Sequence, residues 1–131
     1  MNNYFNRVHT YLLDLNYDIT YNSESEGLLV VDAESHGIQN LVIGVADPIL
    51  IIEQFIMELN GQGEHIFKSL LQKNRDIIHG AFVLDETGSK VIFRNTLELE
   101  NLDLNELEAS FNSLSLLLSE YSNELIEFSK N

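Results

Sequence analysis

The sequence has no cysteine and a single proline among its 131 residues. Without cysteine, the chain can have neither a disulfide framework nor a metal site built on thiolates. One proline and seven glycines leave no room for a long linker or a low-complexity segment. The length and a hydrophobic content of 44% suit one globular fold with its own core. We therefore predict a single domain over residues 1–131.

A long apolar run is also absent. The longest stretch, Ile49 to Leu59, is interrupted by three polar residues, and so it cannot cross a bilayer. The N-terminal segment MNNYFNRVHTYLLDLNYD contains Asp14 and an amphipathic pattern, whereas a signal peptide has a basic region followed by an apolar one. We therefore expect a cytoplasmic protein.

Basic residues are scarce, since seven lysines and arginines stand against 21 aspartates and glutamates, for a net charge of -14. Nucleic acids and anionic membranes bind proteins through clustered basic side chains, and here the basic residues are scattered. We expect neither as a partner. The acidic residues keep the chain soluble, and they would also keep an apolar binding surface from aggregating.

The N-terminal part of the sequence predicts one helix followed by three strands. Residues 3–16 have apolar side chains spaced four, three and four apart, as in an amphipathic helix, with Asn2 or Asn3 as the cap. The segments YDITYNS, LLVVDA and IQNLVIGV predict sequential strands. Gly27 and Gly37 lie between them, where hairpin turns favour a residue with positive φ.

Residues 49–59 fit two structures. Asp47 followed by Pro48 is a good helix start, and apolar residues lie on one helical face. Four of these eleven residues are isoleucine, however, and the alternation of a strand fits as well. The local pattern leaves the choice between helix and strand open.

The segment HGAFVLDETGSKVIFRN, residues 79–95, brings together a histidine, two adjacent acids, Gly88 and two basic residues. A turn explains the acids and the glycine, because a type I turn followed by a left-handed glycine commonly joins two strands. Asp85 would accept hydrogen bonds from turn amides, and Gly88 would take the positive φ. We predict a hairpin here, preceded by a short helix over about residues 64–75.

The C-terminal segment predicts a long helix. Asp103 is placed as its N-cap, with Glu106 three residues further on. From Leu104 to Phe128 the apolar residues repeat at alternating steps of three and four, as in a heptad seam. The favoured interpretation is a helix packed across its own sheet, and the alternative is that part of it covers a partner subunit. The candidate dimer or partner surface consists of Phe111, Leu114, Leu118, Tyr121 and Leu125.

The residues that could carry out catalysis are not arranged for it. The histidines at positions 9, 36, 65 and 79 lack the spacing of metal ligands, and no activated nucleophile accompanies His79. The GQG at 61–63 lacks the lysine and the hydroxyl of a phosphate-binding loop. The acidic run over 98–103 fits a solvated edge followed by a helix cap. We therefore predict that the protein is not an enzyme and has no catalytic residue, cofactor or metal site.

Three segments carry a family resemblance: GLLVVDAE, ILIIEQFIMEL and LLQKNRDIIHGAFVLDETGSKVIFRNTLELENLDLNELEASFNSLSLLL. The pattern is a short helix ending in Asn74 and Arg75, a hairpin of the form apolar-Asp-acid-x-Gly, and a long acidic helix. Together they resemble the YbjN family of small bacterial proteins, part of a wider class similar to type III secretion chaperones such as CesT. The resemblance covers residues 17–128.

This resemblance implies an α+β sandwich in the order α-β-β-β(-β)-α-β-β-α, with an antiparallel sheet, a long C-terminal helix and a strand over 49–59. It also implies a small, acidic, cytoplasmic homodimer that binds segments of a partner protein. We therefore predict a non-enzymatic, chaperone-like or regulatory protein-binding module that holds an apolar or extended segment of a client. The alternative is a small-molecule or metal-binding regulatory domain.

Overall fold

The computed structural model describes residues 3–60 and 63–130, and these ranges contain three helices and six strands. The helices are α1 (Tyr4–Asp14), α2 (Glu64–Asn74) and α3 (Leu104–Ser129), and a short 3-10 turn covers Glu34–His36. The strands are β1 (Asp18–Ser23), β2 (Leu28–Ala33), β3 (Ile38–Ala46), β4 (Ile49–Glu58), β5 (Ala81–Leu84) and β6 (Lys90–Glu98).

All six strands form one antiparallel sheet in the order β1-β2-β3-β4-β6-β5. The first four strands pair in sequence, and the β5–β6 hairpin joins the sheet through β6, which pairs with β4. The predicted α+β fold, with its antiparallel sheet and long C-terminal helix, is therefore confirmed.

Residues 49–59 are the segment whose local pattern left helix and strand open, and Ile49–Glu58 form strand β4. This strand lies inside the sheet, paired with β3 on one side and with β6 on the other. Leu50, Ile52 and Met57 are buried, whereas Phe55 is 51% exposed. Pairing on both sides decides the matter, since it satisfies the backbone hydrogen-bonding groups of the segment as a strand.

Strands β5 and β6 form the predicted hairpin, with Leu84 opposite Val91 at its closed end. Asp85 Oδ1 accepts the backbone N–H groups of Ser89 at 3.2 Å and Lys90 at 3.1 Å. Gly88 has a φ of 76°. The acid and the glycine of this segment therefore build the turn.

Side-chain caps fix where the first and last helices begin. Asn3 Oδ1 accepts the backbone N–H of Asn6 at 3.1 Å, and the other predicted cap, Asn2, lies outside the described residues. At the start of α3, Asp103 Oδ1 accepts the backbone N–H of Glu106 at 2.7 Å. Each cap satisfies an N–H group of a first helical turn that has no partner within the helix.

The three helices pack on the same side of the sheet, which we call the inner face. Helical residues such as Val8, Ile66 and Leu107 belong to one buried cluster together with the strand residues of this face. The buried inner-face residues are Leu29, Val31, Leu41, Ile43, Leu50, Ile52, Met57, Phe82, Val91 and Phe93. A single core therefore lies between the inner face and the helices.

Candidate binding surfaces

The opposite side of the sheet, which we call the outer face, is apolar and open. Cross-strand pairing places Val30 opposite Val42 and Phe55 opposite Ile92. No side chain of this face is buried, and Tyr21 and Phe55 are 46% and 51% exposed. The apolar residues of this face include Tyr21, Leu28, Val30, Val42, Ile51, Phe55, Val83 and Ile92. Contiguous exposed apolar surface of this kind marks interaction sites.

One ion pair interrupts the outer face. Glu53 lies opposite Arg94 across β4 and β6, and Arg94 Nε is 3.6 Å from Glu53 Oε2. The two side chains are 38% and 43% exposed, so the pair contributes little to stability. It places two charged groups between Ile51 and Phe55 on this face, where Ser23 and Thr96 are further polar residues.

A second apolar surface, the edge groove, lies where α2 meets the edge strand β5. It has a volume of about 260 Å³. Leu71 and Leu84 are 68% and 43% exposed, and Ile78, in the loop between α2 and β5, is 88% exposed. The edge groove is lined by Phe67, Leu70, Leu71, Phe82, Val83, Leu84 and Val91. This hydrocarbon lining suits an apolar side chain from another molecule.

Asn74 closes part of the edge of β5. Its Nδ2 donates to the carbonyl oxygen of Phe82 at 3.1 Å, and its Oδ1 accepts the backbone N–H of Phe82 at 2.8 Å. Free backbone groups on an edge strand are a template for pairing with another chain, and at Phe82 both groups are already bonded. The edge groove therefore favours docking of side chains over addition of a strand.

Lys73 ties α2 to the C-terminal half of α3. Its Nζ lies 2.6 Å from Glu124 Oε2 and donates to Ser69 Oγ at 2.9 Å. The same ammonium lies 5.1 Å from the ring centroid of Tyr121 and 5.9 Å from that of Phe128. The Lys73 side chain is only 12% exposed, so ionic and cation–π contacts both act on a largely desolvated charge.

A third surface, the α3 groove, is concave and lies between the C-terminal half of α3 and parts of β3 and β4. Its volume is about 780 Å³. It is lined by Ser35, His36, Gly37, Gln39, Asn40, Gln54, Phe55, Ile56, Ser115, Leu118, Ser119, Ser122, Leu125, Ile126 and Ser129. The lining contains both hydrogen-bonding and apolar side chains.

The five residues predicted as a dimer or partner surface differ in how far they are buried. Phe111, Leu114 and Leu125 are 1%, 2% and 7% exposed and belong to the core of this chain. Leu118 and Tyr121 are partly buried and pack against that core. The seam of α3 therefore packs across its own sheet. Leu118 and Leu125 also line the α3 groove, and a role of the five residues in partner contact stays a prediction.

The histidines lie apart, in α1, in the 3-10 turn, in the first turn of α2 and in the loop before β5. Within residues 3–60 and 63–130, no group of three or more histidine, aspartate or glutamate side chains could hold a metal ion. The helices described in these ranges include none that is long and apolar enough to span a membrane. Of the predicted connector at 61–63, only Gly63 is described, and it precedes α2.

Comparison with known families identifies the fold. The model of the CesT_Tir_1 family matches residues 1–131. The chain belongs to the CesT_Tir_1 family. A search of curated proteins gave no significant match for this CesT_Tir_1 chain.

Three solved structures have a similar fold. YbjN from E. coli, a proposed transcription regulator, is 13% identical, with a TM-score of 0.71 over 92% of this chain and 92% of that chain. The HopA1–SchA chaperone–effector complex gives 9% identity and a TM-score of 0.63, over 97% and 94% of the two chains. The Yersinia pestis type III secretion chaperone SycH, in complex with a stable fragment of YscM2, gives 15% and 0.56, over 96% and 99%. The resemblance predicted from the sequence is confirmed.

Proposed function

We propose that this chain is a non-enzymatic protein-binding module, with a chaperone-like or regulatory role, that holds an apolar or extended segment of a client protein. The observation that carries the proposal is the outer face of the sheet, where all six strands contribute apolar side chains and none is buried. An extended segment can lay alternate side chains on such a surface. The apolar area removed from water then drives binding.

The charge of the chain fits a protein client. With a net charge of -14, the molecule repels nucleic acid, because binding to phosphates depends on basic side chains that neutralise them. The acidic surface also keeps a molecule with an open apolar face dispersed in water. We therefore assign no nucleic acid and no membrane as partners, and we expect the protein to act in the cytoplasm.

The partners of two similar structures support a polypeptide ligand. SchA is in a chaperone–effector complex with HopA1, and SycH is in complex with a fragment of YscM2. The alternative, a small-molecule or metal-binding regulatory domain, predicts a cavity with several titratable groups. A cavity of about 1130 Å³ beside the 3-10 turn has such groups in its lining, namely Tyr17, Asp18, Asp32, Glu34 and His36, and a small molecule would bind there under this alternative. A metal ion has less support, because no three histidine, aspartate or glutamate side chains of the described residues could hold one.

We further propose that the protein is a homodimer that associates through the edge groove. Leu71 and Leu84 are exposed beside a small apolar hollow, and a two-fold axis would place this surface against the same surface of a second copy. Because Asn74 already occupies the edge of β5 at Phe82, the contact would use side chains.

The client proposal is tested by affinity purification of the tagged full-length protein from its own cell, with two variants alongside. Tyr21→Asn removes a side chain of the outer face that is 46% exposed and lines neither groove, and Leu116→Asn removes one that is 71% exposed on α3. A client should be recovered with the wild type and with Leu116→Asn, and lost with Tyr21→Asn. Recovery with all three proteins would reject the outer face as the site. If the wild type recovers no client, the proposed function itself fails.

The dimer is tested by size-exclusion chromatography with light scattering. The wild type should have about twice the 15.0 kDa mass of the chain, and Leu71→Asp should be a monomer because a carboxylate cannot be buried in an apolar contact without a partner. Leu13→Asp, at a residue 54% exposed on α1, is the matched control and should remain a dimer. A monomeric wild type contradicts the proposal.

A further inference from the structure

The α3 groove is a concave surface beside the C-terminal half of α3, and Phe55 is the one apolar residue of its described lining that it shares with the outer face. Among the described residues that line it there is no aspartate, glutamate, lysine or arginine, although such residues make up 21% of the chain. In a molecule with a net charge of -14, an uncharged groove disfavours an acidic ligand and offers no carboxylate to a basic one. The ligand that fits this lining is itself uncharged.

Hydroxyl groups follow one side of the helix along the groove. Ser115, Ser119, Ser122 and Ser129 are spaced four, three and seven residues apart, so they project to the same side of α3. Ser115 Oγ donates to the carbonyl oxygen of His36 at 2.8 Å, which fixes one end of the groove. A serine hydroxyl that donates to backbone still has acceptor capacity for an incoming N–H group.

Gln54, in the wall of the groove, has an acceptor that no protein group satisfies. The residue is 7% exposed, and its Nε2 donates to the carbonyl oxygens of Gln39 at 2.8 Å and Phe55 at 3.1 Å. These two acceptors fix the orientation of the amide, because the reverse orientation would place Oε1 against two carbonyl oxygens. Oε1 is buried without a hydrogen-bond partner, which is unfavourable in a protein interior.

We propose that the α3 groove binds a short, uncharged, extended polypeptide segment, which displaces the atoms that cover Gln54 Oε1 and donates a backbone N–H to it. The helix rises about 21 Å from Ser115 to Ser129, which an extended chain covers in about six residues. Such a chain presents N–H groups to the polar lining and alternate side chains to Leu118 and Ile126. This inference rests on the proposed function, in that the ligand is a polypeptide, and it adds a second surface with its own selectivity.

Gln54 is the reporter for a test by NMR. Its Oε1 is covered in this structure, so a segment that bonds to it must displace the covering atoms, and the amide resonances of Gln54 must move. The probe is the blocked peptide acetyl-SVSLSI-amide, titrated into the isotope-labelled full-length protein. Versions of the peptide with glutamate or lysine in place of each serine measure the charge selectivity. We expect the neutral peptide to shift the Gln54 side-chain amide and the backbone signals of residues 118–126, with at least tenfold weaker binding of both charged peptides.

Two serine variants of α3 separate binding from folding. Ser119→Phe fills the groove from an exposed position, and Ser113→Phe places the same side chain at an exposed position that does not line it. Ser119→Phe should weaken binding at least tenfold while its spectrum stays that of a folded protein, and Ser113→Phe should bind as the wild type does. Equal binding by the two variants overturns the inference.

The other outcomes separate this inference from the proposed function. Shifts confined to the outer face or to the edge groove would reject the α3 groove and leave the client proposal standing. Equal affinity for charged and neutral peptides would overturn the assigned selectivity. Absence of any shift rejects the α3 groove as a peptide site, and client recovery by affinity purification then decides the proposed function separately.

Discussion

The inner and outer faces of the sheet carry the same kind of side chain in different surroundings. On β3, Leu41 is completely buried on the inner face, whereas its neighbour Val42 is half-buried on the outer face. The composition of the two faces does not explain this difference. All three helices bury apolar residues in the inner-face core, so coverage by helices makes one face a core and leaves the other as a surface.

The largest expected effect is a difference in the free energy of unfolding between variants at Leu41 and at Val42. Leu41→Ala should lower the free energy of unfolding by about 2–5 kcal/mol, because it removes buried methyl groups and leaves a cavity. Val42→Ala should cost about 1 kcal/mol, since part of its side chain already contacts water. Urea denaturation of both variants measures the two values. Similar costs would mean that the outer face is covered in solution.

The edge of the sheet, where the two faces meet, should give the next largest effect. Asn74→Ala leaves the N–H and C=O groups of Phe82 without their partners, and this should cost about 1–3 kcal/mol. Asn123→Ala, at an exposed position on α3, is the control and should change stability by no more than about 0.5 kcal/mol. Chemical denaturation compares the two. If Asn74→Ala behaves like the control, these hydrogen bonds do not hold the edge.

Removing the ion pair of the outer face should promote aggregation through this face while changing the stability of the fold very little. The double variant Glu53→Leu with Arg94→Leu should change the free energy of unfolding by about 0–1 kcal/mol. It enlarges the apolar part of the outer face between Ile51 and Phe55, so aggregation should begin at a lower protein concentration, as measured by light scattering. The control, Glu64→Leu with Lys68→Leu, removes the same charges from exposed positions of α2. Earlier aggregation of the control would argue against a special role of the outer face.

The smallest expected effect is a difference in how two tyrosines make the stability of the fold depend on alkaline pH. Burial, with a smaller contribution from the charge of Glu108, raises the pKa of Tyr17 to about 12. On the outer face, the hydrogen bond to Glu26 raises the pKa of the exposed Tyr21. Because the folded state holds the Tyr17 proton more tightly than the unfolded state, its contribution to stability is complete below pH 10 and decreases as the pH rises towards 12.

Denaturation between pH 9 and pH 12 measures this contribution. Tyr17→Phe should lose less stability than the wild type over this range, and Tyr21→Phe should show a smaller change of the same sign, because water screens its exposed phenol. Identical alkaline profiles for the wild type and Tyr17→Phe would show that the environment of Tyr17 does not protect its proton.

Local signals in the sequence were sufficient to predict several helices and turns of the fold. Asp103 caps α3 and Asp85 organises the hairpin turn, because each acts on backbone groups within five residues along the chain. The alternating steps of three and four also predicted the length of α3 and the stripe that it buries. Residues 49–59 were different, since their pattern fitted a helix and a strand, and the family resemblance favoured the strand. Pairing with β3 and β6 explains that outcome physically.

The candidate surfaces were harder to predict than the elements. The seam of α3 marked five residues as a dimer or partner surface, and three of them lie in the core, including Phe111 at 1% exposure. Periodicity identifies an apolar stripe but not what covers it. The outer face, the edge groove and the α3 groove were not predicted, because their residues come from separate segments. One signal was present in the sequence: Asn74, in the motif of the resemblance, bonds the edge of β5.

The sequence by itself determined the helices and turns with local signals, the single apolar core and an acidic charge that disfavours nucleic acid. These properties depend on contacts between residues that are near in the chain, or on composition alone. Only the tertiary structure decided which face of the sheet the helices cover and which apolar residues remain exposed. The reason is that burial depends on the relative positions of distant segments, and an apolar side chain has the same local pattern whether its neighbour is a helix or water.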